Sequence, residues 1–315
     1  MKIHPIVISV VCWIISSHAS AQTPSGKGQS AGRITVDNIN RSFIVYQPAS
    51  YSPEKKSPVI FLFHGGGATA GSMLNISNGD DFKDISEKEN VLLVAPEGID
   101  KSWNDGRQTK SNEQQVDDIK FILHLLEYIK SAYSVDTARI YATGISNGGF
   151  MVSRLACEAG YKFAAVAAVA ATMGEDIPYH SCTPGFTIPV MYIHGTEDPV
   201  VHFNGGQKTI GAEGSYVSHQ QVIDKWVSVN KCNPSPVVTT VPNIARLDGT
   251  TITKEEYKGV NGADVISYTI HGGGHTWPGG KQYLPRLVIG KVSRDMNGCE
   301  VIWNFFKLHT RKPLS

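Results

Sequence analysis

Charge is scarce in this chain of 315 residues: Asp, Glu, Lys and Arg together make up 18%, and the formal net charge is +1. With 29 basic residues against 28 acidic ones there is no electrostatic footprint for a polyanion, which argues against a nucleic-acid partner. No apolar run reaches the length of a membrane span. The longest, Ile6 to Ile15, covers only half of the ~20 residues a spanning helix needs. No Cys-x-x-Cys pair occurs, so zinc-ribbon and thioredoxin-type sites have no support. Neither His-Glu-x-x-His nor Gly-x-x-x-x-Gly-Lys-Ser/Thr is present, which removes the usual helical zinc pair and the phosphate loop. Hydrophobic residues at 41% are enough for a sizeable core.

The first 21 residues read as a secretory signal: Met1-Lys2, the apolar stretch, then Ala19-Ser20-Ala21 as a small-residue cleavage site. Its removal leaves basic and acidic residues equal in number. Residues 22–32 are small and polar, as in a linker, and 33–315 reads as one domain. In an exported chain the four remaining cysteines suggest two disulfides. The pairing of nearest sequence neighbours is Cys157–Cys182 and Cys232–Cys299.

Strand-like stretches at Arg33–Val36 and Ser42–Tyr46 precede a series of short, continuously apolar runs. These are Val59–Phe63, Val91–Ala95, Arg139–Thr143, Phe163–Val169, Pro189–Ile193 and Val265–Ile270. Runs apolar on both faces suit buried parallel strands. Between them lie helical periods. Val116, Ile119, Ile122, Leu123, Leu126 and Ile129 form one stripe; further helices are predicted over Asn147–Cys157, His219–Asn230 with Ser218 as cap, and Ser293–Leu308. Strands alternating with helices predict an α/β sheet with crossovers.

Gly144-Ile145-Ser146-Asn147-Gly148 matches Gly-x-Ser-x-Gly, with a strand before it and a helix after it. That context makes Ser146 a candidate nucleophile on a tight turn, with the helix N-terminus placing partial positive charge beside developing negative charge. A serine hydroxyl needs a base, and the base an orienting acid. Glu197 and Asp198 both follow the strand Pro189–Ile193, on a loop where sites in open α/β sheets collect. For the base, His271 reads as the end of a strand, whereas His275 stands on a Gly-rich loop able to carry it over the sheet edge. Three glycines between the two histidines exclude a helical metal pair, and no metal is expected. His64-Gly65-Gly66-Gly67 after an early strand supplies unobstructed backbone N–H groups; an oxyanion would be held by Gly66 and by the amide of Asn147. His64, Gly65, Trp103 and Trp277 are expected to line the substrate pocket, with Phe203 near them, and the long Gly-rich loops over 65–80 and 202–215 are expected to shape it.

Taken in order, His64–Gly67, Gly144–Gly148, His194–Asp198 and Gly274-His275-Thr276-Trp277-Pro278-Gly279 resemble the exported esterases grouped as polyhydroxybutyrate depolymerase-like and feruloyl or acetyl-xylan esterase-like. The Gly-Ile-Ser-Asn-Gly-Gly and His-Thr-Trp-Pro-Gly segments are the specific parts. Trp103–Arg107 and Asp117-Asp118 also look like family segments. The resemblance implies an α/β-hydrolase fold with a mostly parallel sheet of about eight strands and helices on both faces. It implies no cofactor, Asp198 rather than Glu197 as the acid beside Ser146 and His275, and a small ester or ester-decorated polymer as substrate. No protein partner is expected. A peptidase or thioesterase using the same residues, or a hydrolase fold kept only for binding, are the rival readings.

Overall fold

The computed structural model describes residues 26–77, 79, 81–108, 115–207 and 214–311; the expected signal segment lies outside them. In chain order the elements are β1 (Gly28–Val36), β2 (Ile39–Gln47), β3 (Ser57–Phe63), α1 (Ala70–Met73), α2 (Phe82–Glu89), β4 (Leu92–Pro96) and α3 (Asp118–Ala132). Next come β5 (Val135–Ile145), α4 (Asn147–Glu158), β6 (Ala165–Val169), β7 (Val190–Gly195), the short pair β8 (Gly206–Gln207) and β9 (Ser215–Tyr216), and α5 (His219–Val229). The chain closes with β10 (Val237–Val241), β11 (Thr251–Tyr257), β12 (Val265–His271), α6 (Arg286–Ile289) and α7 (Gly298–Phe306).

Ten strands form one sheet in the order β1-β2-β4-β3-β5-β6-β7-β12-β11-β10. The six central strands, β4 to β12, run parallel, and an antiparallel pair closes each edge. Every residue of β3, β4, β6 and β7 is buried, as their predominantly apolar sequences require of strands covered on both faces. Alternate side chains feed two separate cores. Phe61 and Phe63 pack with α3, α4 and α5 on one face; Ile60 and Leu62 pack with α1, α2 and α7 on the other.

The sheet is larger than the eight strands expected. The addition is the β10–β11 hairpin beyond β12. Val237 and Val238 are exposed and β11 reads Thr-Ile-Thr-Lys-Glu-Glu-Tyr, so no burial pattern marks either strand; the ladder from β12 supplies their pairing. The linker expected over 22–32 is also corrected, because residues 28–32 belong to β1 and pair with 43–47 of β2. The last helix is shorter than 293–308. It starts where the Asn297 side chain accepts the Cys299 and Glu300 amides. Ser218 caps α5 as expected, accepting the Gln221 amide.

Cys157 and Cys182 are joined, but Cys232 and Cys299 are free, which corrects the second expected pair. Cys232 packs against the core on the α5 face, while Cys299 lies in the core on the α7 face. The sheet stands between them. Nearness along the chain carried no information about side of the sheet. The Cys157–Cys182 link closes a loop of sequence separation 25. Replacing both cysteines by serine is expected to lower unfolding free energy by about 3 kcal/mol, read as a lower denaturant midpoint at unchanged slope. No helix among the described residues is long and apolar enough to cross a membrane.

Candidate active site

Ser146 occupies the junction of β5 and α4 with φ 57° and ψ −127°. A non-glycine residue in that region costs about 1–3 kcal/mol and persists only where its surroundings impose it. Here they do. The Ser146 amide donates to the Val169 carbonyl at 3.0 Å, and its own carbonyl accepts the Phe150 amide at 2.9 Å. The turn closes so tightly that a methyl group on Gly148 would stand 2.3 Å from the Phe63 carbonyl oxygen, and one on Gly144 would stand 2.6 Å from that of Gly148. Gly148→Ala is therefore expected to cost about 1–3 kcal/mol or more by overpacking, seen as a lower Tm. A Tm unchanged from the native protein would contradict this packing.

Asp198 lies just beyond β7. Its Oδ1 accepts the Val200 and Val201 amides, each at 2.8 Å, and its Oδ2 lies 2.8 Å from His275 Nδ1. His194 Nε2, which donates to the Val201 carbonyl at 2.9 Å, approaches the same Oδ2 at 3.4 Å. Burial alone would raise this carboxyl's pKa. The charge and hydrogen bond of His275 and the bond from His194 outweigh burial and hold it well below the usual carboxylate range. An ionised Asp198 fixes the proton of His275 on Nδ1 and leaves Nε2 to accept one.

His275 follows β12 and three glycines, yet its backbone is held at both ends. Its amide donates to the Ile289 carbonyl at 2.6 Å, and its carbonyl accepts the Tyr283 hydroxyl at 3.0 Å. Both partners come from one excursion of the chain, residues 281–290. Ser146 and His275 line one cavity of about 390 Å³. Ser146 Oγ makes no hydrogen bond to a described residue; such contacts are often long in unliganded enzymes and tighten on substrate.

The Gly-rich loop borders the same cavity. A methyl on Gly65 would lie 3.4 Å from Ser146 Cβ, and one on Gly66 would lie 3.7 Å from Asn147 Cβ. His64, fully buried beneath, braces the loop. Its Nε2 accepts the Gly98 amide at 3.0 Å, so Nδ1 carries the proton donated to the Gly65 carbonyl at 2.8 Å. Burial lowers its pKa and keeps the ring neutral. The model for phospholipases and carboxylesterases matches residues 48–225, more than half of the chain.

The chain belongs to the phospholipase/carboxylesterase family.

Membership makes it a carboxylic ester hydrolase, in agreement with the resemblance drawn from its motifs. Feruloyl esterase D of Neurospora crassa is 26% identical over 275 residues, spanning 82% of this chain and 83% of that enzyme. Feruloyl esterase B of Piromyces equi is 28% identical over 248 residues, spanning 76% of this chain and 44% of that longer enzyme. Acetyl xylan esterase from Aspergillus awamori shares the fold, with a TM-score of 0.53 at 16% identity over 78% of this chain and 94% of that one.

Within this carboxylesterase-family site the expected aromatic lining is absent. Trp103 is fully buried. Its ring N–H donates to the His64 carbonyl at 3.0 Å and its ring packs edge-on to Phe63 at 5.2 Å. Trp277 is buried too, edge-on to Phe82 at 6.0 Å, and Phe203 stacks on His219 at 4.8 Å. Large rings drawn into the cores stabilise more by burial than they would at a wet rim. The Trp103–Arg107 segment is a brace. The Asn147 side chain accepts the Trp103 amide at 2.8 Å and donates to Asp105 Oδ2 at 2.7 Å, and Arg107 pairs with Asp105 at 2.6 Å. Asp118 joins the brace through the Asn104 amide, at 2.7 Å. Of the alternatives left open, Glu197 is exposed beside Lys291 at 3.6 Å, and His271 lies at the end of β12 against Thr253 Oγ1 at 2.9 Å. Met73 and Ile76, on the 65–80 segment expected to shape the pocket, line the cavity, as do Lys281 and Tyr283, which were not expected there; of the other expected loop, 202–215, residues 208–213 lie outside the described residues. Met73 ends the one-turn α1, whereas Ile76, Lys281 and Tyr283 sit on irregular segments with no periodic signal in the sequence.

Proposed function

We propose that the chain hydrolyses carboxylic esters by acyl transfer through Ser146, with His275 as base and Asp198 as its orienting acid. The observation that carries this reading is the 2.8 Å bond between Asp198 and His275 at the wall of the cavity onto which Ser146 opens. His275 Nε2 takes the Ser146 proton as Oγ attacks the ester carbonyl. The oxyanion is held by the amides of Gly66 and Asn147, the second at the positive end of α4. The C–O bond breaks as His275 returns the proton to the leaving alcohol. Water, deprotonated by the same imidazole, then hydrolyses the acyl-enzyme.

The substrate reading follows the relatives: an ester with an aromatic acyl group of the feruloyl kind, seated on the apolar wall of Ala68, Met73, Ile76 and Ile145. A fluorophosphonate probe is expected to label Ser146. A panel of methyl ferulate, acetylated xylan, 3-hydroxybutyrate oligomers and a peptide p-nitroanilide is expected to give its highest kcat/KM on methyl ferulate and no turnover of the anilide. Preferred cleavage of the anilide would establish the peptidase reading instead. We also propose export with cleavage after Ala21; the secreted protein should begin at Gln22 by mass spectrometry.

A further inference from the structure

Besides Ser146 and His275, five polar side chains line the cavity: His64, Ser72, Asn75, Lys281 and Tyr283. Four of them are committed to the protein itself. Both ring nitrogens of His64 are bonded to backbone groups. Ser72 Oγ donates to the Thr69 carbonyl at 2.7 Å and accepts the Thr69 amide at 3.0 Å. Asn75 donates to the Gly71 carbonyl at 2.7 Å and accepts from Lys83. The Tyr283 hydroxyl holds the His275 carbonyl. Lys281 alone is uncommitted: its ammonium has no hydrogen bond or ion pair with any described residue. No Asp or Glu is among the residues lining the cavity, so its charge is uncompensated there. The adjacent Gly280 pairs with Ser77, which ties the backbone next to Lys281 to the segment carrying Ile76 and the apolar wall.

A compact ammonium with three donors and no acceptor binds charged oxygens far better than neutral ones, and more strongly where one side of it is apolar. We infer that Lys281 is a specificity-determining residue, and that the site selects esters carrying a carboxylate or similar anionic group near the scissile bond. This rests on the Ser146–His275 reading above. It adds that cationic esters are poor substrates. Lys281 is exposed, so water and salt compete for it and the selection is moderate and ionic-strength dependent.

The test uses two charge series of matched esters on the purified chain. One places the charge on the acyl side: methyl cinnamates with a 4-carboxyl, 4-methyl or 4-trimethylammonio group. The other places it on the alcohol side: phenyl butyrates with the same three substituents. The 4-carboxyl member of at least one series is expected to exceed its neutral partner about tenfold in kcat/KM, the scale of one charge-assisted hydrogen bond, mainly through KM and less so as salt rises. In Lys281→Gln that ratio falls to near one, and in Lys281→Glu the trimethylammonio member becomes the preferred one. Equal kcat/KM across both series, or a carboxyl preference unchanged by Lys281→Gln and Lys281→Glu, overturns the inference and leaves the esterase reading standing. Failure of the native chain to cleave any ester of either series overturns the esterase reading itself.

Discussion

Ser146→Ala is expected to lower kcat for ester hydrolysis by roughly 10⁴–10⁶-fold, leaving only the residual rate that binding and the oxyanion donors provide. The loss is large because alanine offers no atom to form the acyl-enzyme, while nothing else at the position changes. The amide of residue 146 still reaches the Val169 carbonyl and its carbonyl still accepts from Phe150. Far-ultraviolet circular dichroism should match that of the native chain, and fluorophosphonate labelling should vanish. Turnover within tenfold of native, with the fold intact, would remove Ser146 from the chemistry.

Asp198→Asn is expected to cost about 10⁴-fold in kcat. An amide cannot fix the proton on His275 Nδ1. Its NH₂ would instead favour the tautomer protonated on Nε2, the nitrogen needed to accept the serine proton. The same substitution has a pH signature in stability. The Asp198 carboxyl has its pKa depressed in the folded chain, so its ionised form stabilises the fold fully above the ordinary carboxylate pKa of ~4. That contribution is lost as pH falls toward the folded value. The native chain should therefore exceed the Asn variant in denaturant midpoint at pH 7, and the gap should narrow on titration below about pH 4. A gap independent of pH would mean that the carboxylate is not held ionised by its histidines.

The parts of the fold that could be read from the sequence are those whose physics is local. Largely apolar runs marked all six parallel strands, because burial on both faces leaves few polar positions. The α3 stripe and the Ser218 cap were equally plain. The glycines around Ser146 announced a turn that tolerates no side chain. Properties decided by the opposite side of the molecule were hidden. Whether Cys232 and Cys299 share a face depends on the sheet between them. Trp103 and Trp277 sit on loops, and loop position suggested exposure, yet each ring sank into a core. The β10–β11 hairpin carries no apolar alternation and exists because β12 offers an edge. For the site, motif order directed attention to Ser146, Asp198 and His275. The placing of Met73 and Ile76 at the cavity, and the hold that His194 at the end of β7 has on Asp198 in the turn after it, depend on three-dimensional backbone geometry that motif order does not encode.

The excursion over 281–290 has two duties. It clamps both backbone ends of His275, and it contributes Lys281 and Tyr283 to the cavity. On the proposed chemistry, insertions or deletions there would alter which molecules are accepted and, in the same stroke, shift His275, the proposed base. The wall segment of residues 68–76 bears no such double burden. Divergence toward new substrates has its open road on that side, and a laboratory library aimed at altered selectivity should be diversified there first.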